Sequence, residues 1–216
     1  REQRLVPVRL GPPQFGGAPV AMVACGSGHT LVVTRAGCLF AFGRGGDGQL
    51  GLGDRNDRYV PVEVGQGRFR GAIITHVATG FTHSGVVTSG GAVWTWGCGH
   101  SGRLGHNDLQ DELVPRELLG QFGGARALSL AAGELHTIVV TTCGAVWSCG
   151  GGYHGQLGVG DTVDRHAPVR VGGEDTFGQS KVHMVACGYC HTVAVTEEGA
   201  VWSWGRGRGG KLGHND

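Results

Sequence analysis

No stretch of this chain approaches the roughly 18 uninterrupted apolar residues that a membrane-spanning helix requires, and no secretory signal is visible. Charge of one sign is also lacking. The formal net charge is +1, so no global field draws nucleic acid or an anionic membrane, and neither is an expected partner. A disulfide framework is excluded by seven cysteines at irregular spacing, an odd count that favours a reducing compartment, cytoplasm or nucleus. No run shows a 3.6-residue apolar period, which excludes a helical solenoid. Nucleophile-elbow, kinase and His-Glu-x-x-His motifs are missing as well, so the chain reads as non-enzymatic, although propellers can host enzymes. The sequence opens on Arg1 instead of Met, the mark of an excerpt from something longer.

Glycine is what the chain has in excess, 44 residues of 216. They recur at fixed offsets among apolar runs, as turns and close backbone contacts would. The cause is a unit of about 54 residues present four times. Its centre reads Gly26-Ser27-Gly28-His29-Thr30, Gly80-Phe81-Thr82-His83-Ser84, Gly133-Glu134-Leu135-His136-Thr137 and Gly188-Tyr189-Cys190-His191-Thr192. The units run approximately over 1–54, 55–108, 109–161 and 162–216, one propeller segment spanning 1–216. Each opens on a Pro (Pro7, Pro61, Pro115, Pro168) and carries a Phe eleven residues before the first Gly. A Thr, a Gly, an aromatic run and a closing Leu-Gly pair follow.

The apolar runs are short, rich in Val, Thr and aromatics, and bounded by Gly or Pro, so they read as strands. Four strands per unit are expected: the Pro piece, suited to a sheet edge, then the runs before the first Gly, after the His, and through the aromatics. The Phe segment from Gln121 to Ala127 could instead hold a short helical turn. Four short antiparallel strands per repeat make an all-β propeller of four-stranded antiparallel blades. Trp94 and Trp96 lie two apart on one strand and share a face; with Trp147, Trp202 and Trp204 they are expected between blades. His29, His83, His136 and His191 fall one per blade with no recurring carboxylate. They are read as structural, each bonding a neighbouring backbone carbonyl, with no metal or cofactor implied.

Two motifs dissolve in the repeat. The Gly43-x-Gly45-x-x-Gly48 spacing of a dinucleotide fingerprint recurs in every unit, and no helix is expected after any copy. Cys187-x-x-Cys190 has zinc-knuckle or redox spacing, but no second pair completes a site. Variation between blades is the better guide to binding. After the aromatic strands it places Arg44 and Asp47, His100 and Arg103, Tyr153 and His154, then Arg206, Arg208 and Lys211. These form an expected partner-binding rim, basic and bearing Tyr and His, at one end of the propeller.

Gly26 to Thr30, Thr34, Gly37, Phe40 to Gly43 and Gly48-Gln49-Leu50-Gly51, with Gly188 to Gly213 in the fourth unit, resemble the regulator of chromosome condensation repeat family. The resemblance implies a seven-bladed ring, of which four units are seen. Their exposed blade faces would be covered by the remaining blades of a parent chain or by a second copy. It further implies a regulatory protein-interaction scaffold, cilium-associated or cytoskeletal settings included, or alternatively guanine-nucleotide exchange on a small GTPase. In the founding member exchange uses a hairpin inserted in one blade, and these four units leave no room for it. The Gly-Trp-Arg-His-Thr step of the family's plant photoreceptor is also missing, since Tyr189-Cys190 fills the Trp-Arg slot.

Overall fold

A computed structural model describes residues 4–65, 67–119, 122–173 and 176–215. Among these residues fifteen strands form four antiparallel sheets in sequence order. The first joins β1 (Val20–Cys25), β2 (His29–Thr34), β3 (Leu39–Gly43) and β4 (Arg58–Glu63). The second joins β5 (Ile74–Thr79), β6 (His83–Thr88), β7 (Val93–Gly97) and β8 (Glu112–Leu118). The third joins β9 (Ala127–Ala132), β10 (His136–Thr141), β11 (Val146–Gly150) and β12 (Arg165–Arg170). The fourth has three strands among the described residues, β13 (Val182–Cys187), β14 (His191–Thr196) and β15 (Val201–Gly205).

Sheets and sequence units are out of phase by one strand. The Pro strand that opens one unit is the outer strand of the preceding sheet, so β4, with Pro61, completes the first. For the same reason the strand expected over Leu5–Leu10 does not form: its ladder partner would be the aromatic strand of a sheet before the first, which these residues do not contain. Gly closes each aromatic strand with φ between 103° and 110°, a conformation that favours glycine. A Cβ at Gly97 would also sit 2.5 Å from the Thr82 carbonyl oxygen.

The Phe segments hold tight turns where they are described, and that of the third unit forms no helix among its described residues. Pro12–Phe15 is a 3-10 turn, and Ala125 N–H bonds Phe122 O at 3.0 Å. Gln121 lies outside the described residues. The dinucleotide-like loop of the second sheet holds one 3-10 turn, His100–Gly102, inside the motif. It is three residues long, too short to present a helix N-terminus to a pyrophosphate.

The cores lie between sheets. One cluster joins Leu31, Val33 and Ala41 of the first sheet to Ile74, Val86 and Trp96 of the second. A second joins Val87 and Val93 to Leu130 and Val139, and a third joins Ile138 and Val140 to Val182 and Ala194. β6 and β10 are therefore buried at every position. β14, with a neighbour on one side only, alternates between buried and half-buried. The first and fourth sheets stand at opposite ends of the row, and the ring is not closed. No helix is long and apolar enough to cross a membrane among the described residues.

Candidate functional site

The eye-catching repeat residues are engaged inside the molecule. His29 Nε2 lies 2.8 Å from Ser84 Oγ of the next sheet, and that hydroxyl donates back to the Gln49 carbonyl at 2.8 Å. His83 meets Thr137 at 2.9 Å, which donates to the Arg103 carbonyl at 2.7 Å. His136 meets Thr192 at 3.1 Å, which donates to the Gln156 carbonyl at 3.0 Å. The expected backbone carbonyl is thus reached through a hydroxyl, and it fixes the next sheet instead of a local turn. A hydroxyl that donates to a carbonyl must accept from the imidazole, which sets the Nε2–H tautomer.

Each Nδ1 is then left enclosed without a partner. A second proton there would find no acceptor, and burial holds His29 and His136 at about 4 and His83 well below its ordinary value. His191 has the same enclosed Nδ1, but no hydroxyl of a following sheet meets its Nε2 among the described residues.

A third donor reaches the same carbonyls. The indole N–H groups of Trp96 and Trp204 bond Gln49 O and Gln156 O at 2.9 Å each. Cys149 stands in that position in the third sheet, its thiol 3.7 Å from Arg103 O; burial pushes this thiol up to about 12. The other tryptophans pack edge-to-face on their own unit's Phe: Trp94 on Phe69 at 5.5 Å, Trp147 on Phe122 at 6.0 Å and Trp202 on Phe177 at 5.6 Å. The Trp147 indole N–H is enclosed without a partner.

The rim is built by the β3–β4 loop and its equivalents. Arg44, His100, Tyr153, Arg208 and Lys211 are exposed; Asp47, His154 and Arg206 are half-buried. Tyr153 is 79% exposed, its ring 5.0 Å from that of His154. Arg103 is not on the rim. Its buried guanidinium donates to Thr82 Oγ1 and the Glu134 carbonyl at 2.9 and 3.1 Å, and its Nε to His100 O at 2.9 Å. Gln49 and Gln156 at the equivalent positions accept the N–H of Asp47 and His154 on their own loops.

The acids of the following stretches also have structural partners. Asp57, Asp111 and Asp164 accept the N–H of Gly45, Gly99 and Gly152 at 2.9–3.0 Å. Arg55 pairs with Asp111 at 2.9 Å and so joins two neighbouring loops. Asp54–Arg58 and Asp161–Arg165 pair within their loops.

The β1–β2 loop and its equivalents emerge at the same end, nearer the centre, and contribute residues that the sequence reading passed over. Ser27, Phe81, Glu134 and Tyr189 follow the first Gly of each unit and line a cavity of about 230 Å³. The Phe81 and Tyr189 rings, half exposed, meet edge-to-face at 6.0 Å. Glu134 accepts the Cys190 thiol at 3.4 Å, and its carboxylate raises the Tyr189 phenol. The signal was available, since four different residues share one offset in an otherwise regular motif. No group of three or more His, Cys, Asp or Glu that could hold a metal occurs among the described residues, and burial pushes the Cys187 thiol up to about 12. Chemically this end offers exposed aromatic surface, scattered cations and one central carboxylate. It is equipped to bind.

Comparison with known proteins agrees with this architecture. The RCC1-like domain family matches residues 1–216. The ultraviolet-B receptor UVR8 of Arabidopsis thaliana is 40% identical over 212 residues, 98% of this chain and 46% of the receptor. The human E3 ubiquitin-protein ligase HERC2 is 37% identical over 201 residues, 90% of this chain and 4% of the ligase. Among solved structures, human WBSCR16 superposes with a TM-score of 0.80 at 30% identity, over 90% of this chain and 49% of its own. Prp20p of Saccharomyces cerevisiae gives 0.78 at 24%, over 92% and 48%, and shows the fold alone. The chain thus spans about half the length of the plant receptor and of these two structures, and far less of the ligase. The family model matches the whole chain and the sheet architecture agrees with it: the chain belongs to the RCC1-like domain family.

Proposed function

We propose that this chain is a non-enzymatic, regulatory protein-interaction propeller that binds partner proteins through the loops at one end. The observation that carries this reading is the division of labour between fixed and variable positions. His29, His83, His136, Trp96 and Trp204 are engaged between sheets, while Tyr153, Phe81, Tyr189, Arg44 and Arg208 vary at the loop-bearing end and face solvent. Exposed aromatic and Arg side chains are the types that anchor protein interfaces. The relatives support the class: a receptor and a ubiquitin ligase. Arg103, buried and bonded to His100 O, Thr82 Oγ1 and Glu134 O, belongs with the scaffold in this reading, and the open sheet faces at the two ends are covered by further blades or by a second copy.

The test is quantitative affinity capture with wild-type chain and a Tyr153→Ala, Arg206→Glu, Arg208→Glu variant of equal stability. Partners lost selectively from the variant support the rim. An unchanged partner set at unchanged affinity contradicts it. Guanine-nucleotide exchange is the alternative, and a nucleotide-release assay on small GTPases decides it. No strand pair is inserted in the connections between strands among the described residues, so no release above the uncatalysed rate is expected.

A further inference from the structure

The end of the propeller opposite the rim carries the β2–β3 turn and its equivalents, and a cavity repeats beside them. Where the first sheet meets the second it holds about 190 Å³, and its walls include Ala36, Glu63 and Ile73. Where the third meets the fourth it holds about 270 Å³, and the same three offsets carry Cys143, Arg170 and Lys181. The first of these cavities lies between two complete sheets, so the space is a property of the junction and not of the fourth sheet's edge. At the middle junction the offsets carry Gly90, Glu117 and Arg126. There Arg126 donates to the Ser89 and Gly90 carbonyls at 2.6 and 2.9 Å, and Arg70 lies 3.4 Å from Glu117. A thiol beside two unpaired cations therefore occurs at one junction of the three.

The three groups line one space. Cys143 is exposed, on a tight turn closed by the Gly144 N–H to Thr141 O at 2.9 Å. Its sulfur lies 3.1 Å from Thr141 Oγ1. Gly144 follows at φ 80°, and a Cβ there would run into the Lys181 stem, so the lysine crosses directly beside the residue that carries the thiol. Arg170 enters from β12, opposite Trp147. Phe177, packed on Trp202 at 5.6 Å, supplies the apolar side.

Charge and acidity agree with that placement. Arg170 and Lys181 are exposed, neither forms an ion pair, and no carboxylate lines the cavity among the described residues. Glu174 and Asp175 lie outside the described residues. The Thr141 hydroxyl, the Ala145 N–H and the Arg170 charge hold the Cys143 thiol below its ordinary value. Burial pushes the thiols of Cys149, Cys187 and Cys190 the other way. An accessible thiol with stabilised thiolate beside cations is the environment in which cysteine exchanges with disulfides.

We propose that this cavity is a modification site, which takes a carboxylate-bearing low-molecular-weight disulfide and captures half of it on Cys143. The carboxylates pair with Arg170 and Lys181. The Cys143 thiolate attacks one sulfur of the bound disulfide. The new S–S bond forms as the old one breaks, and the departing thiolate takes up the proton that Cys143 has released. The Cys143 sulfur is oxidised and the departing sulfur reduced, so the disulfide is itself the oxidant. The site lies at the end away from Tyr153, Arg206 and Arg208, and the two readings fail separately.

The chain is incubated at neutral pH with glutathione disulfide as the anionic probe, or with the uncharged hydroxyethyl disulfide, and adducts are located by peptide mass spectrometry. The first glutathione adduct is expected at Cys143, ahead of the exposed Cys25. Charge reversal in an Arg170→Glu, Lys181→Glu variant is expected to slow the anionic probe about tenfold relative to the uncharged one. Taking the ratio of the two rates cancels any change in the thiol's own exposure or acidity. Added salt narrows the same ratio in the wild-type chain, where folding is not in question. Glutathione spread evenly over Cys143 and Cys25 overturns the proposal, as does a rate ratio that charge reversal and salt leave unchanged.

Discussion

Two of the three junctions between sheets are built alike, and the middle one is not. Where the first sheet meets the second, and the third meets the fourth, the shared carbonyl belongs to a Gln (Gln49, Gln156) and receives an indole N–H (Trp96, Trp204). Between the second and third, the carbonyl belongs to Arg103 and receives the Cys149 thiol at 3.7 Å. The smaller donor makes a longer and weaker hydrogen bond. Arg103 offsets this by reaching beyond its own loop to the Glu134 carbonyl of the next sheet, a contact its Gln counterparts do not make. The element common to all three junctions is the hydroxyl between imidazole and carbonyl. Junctions of this repeat therefore require the hydroxyl bridge and tolerate exchange of the third donor.

Truncating Trp96→Ala strikes an indole-type junction hardest. The side chain is fully buried, and a loss of about 3–5 kcal/mol is expected in denaturant unfolding. Trp204→Ala, half-buried, should lose less. Acid should weaken all three junctions together. Below pH 6.5 the unfolded chain's imidazoles take up protons that His29 and His136 refuse until about pH 4, so stability falls across that window and is level above pH 7. The loss is about 3 kcal/mol for each of these two, and His83 adds to it in the same direction. Unfolding midpoints measured from pH 7.5 to 4 check the sign and the window.

Arg103→Gln converts the middle junction towards the other type without supplying the indole. It removes the bonds to Thr82 and Glu134 O, for an expected loss of about 1–3 kcal/mol. If the same exchange is neutral beside Cys149→Trp, the two junction types are interchangeable as pairs. Tyr153→Ala and Arg208→Ala lie at the small end, within about 0.5 kcal/mol in unfolding.

Much of the fold was legible in the sequence, because a strict period constrains every unit at once. Strand runs, closing glycines and the inter-sheet position of Trp96 followed from spacing and burial logic. The partner of the histidines did not. Spacing shows that His29 and Ser84 recur 55 residues apart but cannot show that they touch, since contact between units depends on how sheets stack. The phase of the sheets was hidden for a similar reason: a Pro strand follows a loop of more than ten residues, and sequence alone does not say which edge it joins. Arg103 read as a rim residue because it varies against Gln49, Gln156 and Lys211 at one offset after the aromatic strand, yet its length lets the guanidinium fold inward to a Thr hydroxyl and backbone carbonyls. Phe81, Glu134 and Tyr189 were obscured by the regular motif around them.

The central claim is that each repeat histidine joins its sheet to the next through one hydroxyl. A double-mutant cycle on His83→Ala and Thr137→Val, read by denaturant unfolding, tests it most directly, because the pair lies in the middle junction, where no indole contributes. A coupling energy of about 1 kcal/mol or more is predicted for a buried hydrogen-bonded pair. Additivity within about 0.3 kcal/mol would contradict the account.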